Sequence, residues 1–144
     1  MKTVKQEQLK KNFELFPTID SEEKALKLIN DAVWVGIAIA GINFIGALVL
    51  IFFLDASIDL GISFIINALI FLIFSLMLKF TKNWISASLN LIIAILSIVM
   101  TFLARIKITQ GGTNIFLALF YLLWTYNGFR ATLYLRTHKK YKKS

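Results

Sequence analysis

The sequence predicts an all-α, polytopic membrane protein, a four-transmembrane-helix up-down bundle with an amphipathic N-terminal extension. Three observations carry that prediction. The 144-residue chain is 58% apolar and 17% charged, where a soluble domain is about half apolar and about a quarter charged. Its apolar residues gather in four runs, 32–54, 60–78, 84–104 and 114–135, each near the roughly 20 residues a helix needs to cross about 30 Å of hydrocarbon. The runs are continuous rather than alternating, and a barrel strand needs only about ten residues, so helices are expected to do the spanning. The chain divides accordingly into an interfacial amphipathic segment, 1–31, a transmembrane domain, 32–135, and a basic tail, 136–144.

The first 31 residues mix both charge signs and contain no short apolar core with a small-residue cleavage site, so no signal peptide is expected and the first run stays as a span. Cysteine is absent, which removes disulfides, thiolate metal sites and palmitoylation from consideration. The net charge of +8 is unevenly placed. Lys2, Lys5, Lys10, Lys11, Lys24 and Lys27 precede the first run, Lys79 and Lys82 separate the second from the third, and Arg136, Lys139, Lys140, Lys142 and Lys143 follow the fourth. The other side carries only Arg105 and Lys107, with Asp55 and Asp59 in the first connection. The positive-inside rule then puts both termini in the cytoplasm. The basic excess is read as attraction to anionic phospholipid headgroups, about 1 kcal/mol per residue near the surface, and no nucleic-acid partner is expected.

Taking the elements in order, residues 4–16 place Leu9, Phe13 and Phe16 at helical spacing among polar residues, a pattern for a helix lying on the bilayer or, equally, for a frayed terminal tail, and the segment ends at Pro17. Asp20 stands at an N-cap position with Glu23 three residues on, and the helix that follows gathers Ala25, Leu28, Ile29 and Ala32 on one face. Span one carries a stripe of small residues, Gly36, Ala40 and Ala47, around Asn43, whose amide is expected to face the bundle and bond a neighbouring helix. The short first connection makes spans one and two a hairpin. In span two, Gly61, Ala68 and Ser75 recur at heptad spacing, with Ser63 and Asn67 on an adjacent face. Span three has the clearest polar stripe, Ser86, Asn90, Ala94, Ser97 and Thr101. It reads as a helix-packing face in preference to the lining of a path, because nothing in it is ionisable. Residues 110–114 form a Gly-rich turn, and span four repeats the pattern with Ala118, Tyr121, Thr125, Gly128 and Thr132. Trp34, Trp84, Trp124, Tyr126 and Tyr134 fall towards the inner ends, where aromatic rings favour the interface.

Chemistry-bearing constellations are scarce. The single histidine, His138, stands in a basic tail with no carboxylate beside it, and no phosphate loop, GxSxG elbow or HExxH occurs. Glu22 with Glu23 fits a helix start, and Asp55 with Asp59 fits a turn. No catalytic residue, cofactor or metal is therefore expected. What remains is Arg130, six residues before Arg136 and so about 9 Å deeper along the helix. It has three readings: snorkelling to the inner headgroups, pairing with Asp31 at the inner end of span one, or binding a lipid phosphate, an anionic ligand or a partner's carboxylate. Asn127, one turn earlier, shares whichever group Arg130 holds.

The run Gly128-Phe129-Arg130-Ala131-Thr132, with Tyr134 and then His138-Lys139, resembles the end of uncharacterised small four-span bacterial membrane proteins whose last helix closes on a Gly-x-Arg-Gly-Thr-like segment. The lead 20–27 and the basic turn 79–82 before a Ser- and Ala-rich span are similar too. Here Ala131 replaces the second Gly and His138 lies further downstream. The resemblance implies the four-span fold, the bacterial inner membrane and an interest in Arg130, but no activity. The expected function is that of a non-catalytic membrane protein working through membrane-embedded protein contacts, as an accessory subunit or immunity-type inhibitor does, with a protein partner or a homo-oligomer. The alternative is a small oligomeric channel or transporter, anion-selective or holin-like.

Overall fold

A computed structural model describes residues 15–53, 58–106 and 115–141. Four helices form most of it: α1 Glu22–Phe53, α2 Ile58–Thr81, α3 Trp84–Arg105 and α4 Ile115–Tyr141. No strand occurs among the described residues. The surface helix expected over 4–16 lies almost entirely outside them, as do most of the first connection and the turn at 110–114.

Three helices among the described residues are long and apolar enough to cross a membrane, over Glu22–Phe52, Ile58–Thr81 and Trp84–Ala104. The fourth expected run falls in α4, which is not apolar enough to qualify in the same way. The second half of α4 gathers Trp124, Thr125, Tyr126, Asn127 and Arg130, and these polar and amphipathic side chains dilute the apolar content that its first half supplies. The helix also runs on past 135 to Tyr141, so part of the basic tail is helical.

The start of α1 differs from the expected cap. Ser21, not Asp20, is the capping residue: its Oγ accepts from the Lys24 N–H at 3.3 Å, and its carbonyl takes the Ala25 N–H at 3.1 Å. Asp20 lies one residue outside and accepts from Lys24 Nζ at 2.9 Å. That hydrogen bond holds its carboxyl below the ordinary value. From Ser21 the helix continues unbroken through Asn30 for 32 residues, about 48 Å, and so outreaches a hydrocarbon core by about three turns. At the same end of the bundle, α2 stops at Lys82, whose left-handed φ of 46° lets its N–H bond the Leu78 carbonyl at 2.9 Å. Asn83 then caps α3, accepting from the Ile85 N–H.

Packing follows the small-residue stripes. α1 lies between α2 and α4, α4 also packs on α3, and α2 and α3 meet more lightly. Ala25, Leu28, Ile29, Ala32 and Val33 of α1 share a core with Leu78, Ala87, Ala131 and Leu135. The first turns of α1 and α3 are thereby level with the last turns of α2 and α4, so the helices alternate in direction. Glycines mark the close approaches, among them Gly61 on α2, where a Cβ would meet the Ile51 side chain of α1. A Cβ on Gly36 would collide with Ser75 Oγ, and one on Gly128 would lie 2.9 Å from the Ala32 Cβ. Absent side chains at these points let α1 settle against α2 and α4.

Candidate functional site

Midway along the helices the interior is closed by a polar node. Asn90 on α3 donates through Nδ2 to the Phe74 carbonyl of α2 at 2.8 Å and to the Ser86 carbonyl at 3.0 Å, while its Oδ1 accepts from the Tyr121 hydroxyl of α4 at 3.0 Å. The Tyr121 ring meets Phe71 edge-on, with centroids 4.9 Å apart, and reaches the α1 backbone at Gly36. Ile39, Ala40 and Ala94 complete this cluster. One aromatic residue therefore touches all three other helices, and the amide that joins α2 to α4 comes from the stripe on α3.

The rest of that stripe also faces inward. Ser86, Ala94 and Thr101 are buried and Ser97 is half-buried. Ser86 Oγ shares a hydrogen bond of 2.6 Å with Thr81 Oγ1 across the connection from α2, and Thr101 Oγ1 donates to the Ser97 carbonyl at 2.7 Å. Asn43 is buried as expected from its position, but its Nδ2 donates to the Ile39 carbonyl of its own helix at 2.9 Å instead of bonding a neighbour. The amide thus satisfies part of its bonding capacity locally, through the i–4 carbonyl.

Asn127 and Arg130 separate from Asp31. Asn127 Nδ2 donates to the Leu15 carbonyl at 2.9 Å, tying the segment before α1 to α4, and Phe16 packs edge-on against Tyr126 at 5.9 Å. Asn127 Oδ1 is buried without a partner among the described residues. Arg130 makes no ion pair with Asp31; among the described residues the ion pair found is Lys24 with Asp20. The Arg130 guanidinium lies over the Tyr126 ring, 6.0 Å from its centroid. Tyr126 is one turn towards the N-terminus of α4, the direction in which helical side chains lean. Because Gly128 meets Ala32, Arg130 is level with the junction where the charged start of α1 gives way to its apolar run.

Two other cations sit over rings at the same end. Arg136 Cζ is 4.7 Å from the Trp84 centroid and Lys79 Nζ is 5.8 Å from that of Trp34. Both tryptophans are exposed, which suits the edge of a bilayer, where ring and cation are partly wet.

An open groove of about 900 Å³ runs between α3 and α4. Leu91 and Ile95 line one wall, and Leu119, Leu122 and Leu123 line the other. Tyr126, Arg130 and Phe16 complete it. The sequence pattern pointed to Arg130 but not to this groove, whose walls are ordinary leucines and isoleucines and whose Phe16 comes from a distant part of the chain. Asn67, which the sequence placed beside the small-residue stripe of span two, is a further candidate. It is exposed near the middle of α2, between exposed Ile66, Leu69 and Ile70, and makes none of the hydrogen bonds found among the described residues.

No cluster of three or more His, Cys, Asp or Glu occurs among the described residues. His138 stacks on Tyr134 at 3.9 Å between centroids, its Nδ1 3.1 Å from the Tyr134 carbonyl oxygen. No protein-family model, curated protein or solved structure matches this chain.

Proposed function

We propose that the chain is a non-catalytic integral membrane protein that acts through protein contacts made inside the bilayer, as an accessory subunit or an immunity-type inhibitor does. In this reading α4 completes a four-span bundle in a bacterial inner membrane, with both termini cytoplasmic. The alternating directions of the four helices support it, as do the cation and ring pairs at the end that the basic residues mark as inner. The polar half of α4 is tolerated because Thr125, Asn127, Gly128 and Thr132 are buried against the other elements.

The observation that carries the reading is Asn67. An amide facing hydrocarbon without a partner is costly, several kcal/mol on alkane scales and about 1–3 by protein mutation. A helix from another chain that supplies a donor and an acceptor removes that penalty, and small-scale hydrogen bonding of this kind joins helices in lipid. The test is purification in a mild detergent with and without Asn67→Leu, with Asn67→Gln as the conservative control. Loss of an associated chain, or of a dimer, in Asn67→Leu and its retention in Asn67→Gln are expected. An unchanged assembly in Asn67→Leu would refute the reading. The channel alternative needs a path between copies, since Phe71, Tyr121 and Asn90 fill the interior of one chain. Ion flux in liposomes whose selectivity changes with Arg130→Ala would favour that alternative.

A further inference from the structure

We propose that the groove between α3 and α4 binds one anionic phospholipid, with its phosphate on the Arg130 guanidinium and an acyl chain along Leu91, Ile95, Leu119 and Leu123. The proposal rests on the reading of α4 as a membrane-crossing helix and is independent of the contact at Asn67, which is on α2.

Charge and dimensions argue for that occupant. The groove is apolar along most of its length and, among the described residues, has a single cation at one end. Arg130 has no acidic partner among the described residues, so its charge is available to a ligand from outside the chain. From Leu119 to Arg130 the groove extends along eleven residues of helix, about 16 Å, which matches the roughly 15 Å of one leaflet of a 30 Å core. The cation is also at the right depth. Contact between Gly128 and Ala32 sets Arg130 beside the boundary at which the charged residues of α1 end, the level of a headgroup phosphate. A phosphate accepts bidentate hydrogen bonds from a guanidinium, and Tyr126 supports the planar cation from one face.

The geometry also separates Arg130 from the neighbouring bases. Arg136 and Lys79 pair with exposed tryptophans outside the groove, so they contribute to general attraction for an anionic surface. Among the described residues, only Arg130 combines a charge with an apolar channel leading away from it. The segment before α1 closes the remaining side through Phe16, held by Asn127 on the Leu15 carbonyl.

The test measures lipid retained by the purified full chain after exchange into nonionic detergent, using native mass spectrometry with phosphatidylglycerol and phosphatidylcholine of identical chains. One phosphatidylglycerol is expected to be retained in preference to phosphatidylcholine. Arg130→Gln should lower that preference about fivefold or more, while Arg136→Gln leaves it close to wild type. Leu123→Trp, which fills the groove but keeps the charge, should weaken retention of both lipids, and Ile95→Trp gives a second filling variant should the first misfold. Glycerol phosphate at equal concentration should not displace the lipid. Equal retention of the two lipids by the wild type, or equal losses in Arg130→Gln and Arg136→Gln, would overturn the proposal. So would a copurifying protein lost with Arg130→Gln while lipid retention stays unchanged, which would assign the cation to a partner's carboxylate. Because the chain has no cysteine, Leu119→Cys reports on α4 separately. Labelling by a membrane-impermeant maleimide in vesicles would overturn the spanning reading and the lipid site together. Protection with no lipid preference would overturn the lipid site alone.

Discussion

Replacing Asn90 with Leu tests whether the polar stripe of α3 is a packing device. The side chain is 2% exposed, and leucine keeps its number of side-chain heavy atoms and its branching, with bulkier methyl groups in place of the amide's oxygen and nitrogen, so the perturbation combines loss of the amide with a modest steric increase. The Phe74 and Ser86 carbonyls keep their helical backbone bonds and lose only a second donor. The Tyr121 hydroxyl, on a residue 1% exposed, loses its acceptor. A buried group left unsatisfied costs about 1–3 kcal/mol, and hydrogen bonds between membrane helices average about 0.6 kcal/mol. The expected loss in Asn90→Leu is therefore about 1–3 kcal/mol, roughly 5- to 150-fold in the folding equilibrium. Tyr121→Phe strands the Asn90 Oδ1 instead and should lose a similar amount. The double variant leaves neither group stranded and should be more stable than the sum of the two losses predicts. The assay is reversible unfolding in mixed micelles by sodium dodecyl sulfate, followed by far-ultraviolet circular dichroism, for the four members of the cycle. Strictly additive losses would refute the Asn90–Tyr121 bond and with it the closed interior.

Gly36→Ala places a methyl group against Ser75 Oγ and should destabilise by about 1–3 kcal/mol through overpacking. Ser75→Ala alone should be nearly neutral, since that hydroxyl has no partner among the described residues, and it should recover part of the Gly36→Ala loss when the same unfolding assay is applied to the double variant. Asp20 supplies a pH test outside the spans. Its carboxyl is held below the ordinary value by Lys24, so the pair stabilises the folded chain fully above about pH 4, and that contribution is lost as pH falls through the lowered folded-state value. A carboxyl titration by nuclear magnetic resonance should give a midpoint that rises in Lys24→Met.

The helical class and the inward faces were legible in the chain because both rest on local patterning. Gly36, Ala40, Asn43 and Ala47 recur on one side of α1, and the same spacing picked out Gly61, Ala68 and Ser75 on α2 and Tyr121, Thr125 and Gly128 on α4. All of these are buried. Of the four apolar runs, three coincide with helices that qualify as spans. The capping residue was displaced by one position because Asp20 and Ser21 are both good caps, and backbone geometry chose between them. Asn43 bonds its own helix because a carbonyl four residues back is always within reach of a helical side chain, whereas a neighbouring helix must be brought there by packing.

What the sequence by itself determined is how often apolar helix recurs, which stripe of each helix is small enough to be covered, and where the positive charge accumulates. These follow from composition and from a period of 3.6 residues. The tertiary structure alone decided that Tyr121 is the residue reached from every helix, that Asn67 faces out while Asn90 faces in, and that Arg130 leans over Tyr126 beside an apolar groove instead of pairing with Asp31. Each of these depends on how two helices are rotated and set in register against one another. That relation is fixed by contacts such as Gly36 with Ser75 and Gly128 with Ala32, between residues far apart in the chain, and no local pattern encodes it.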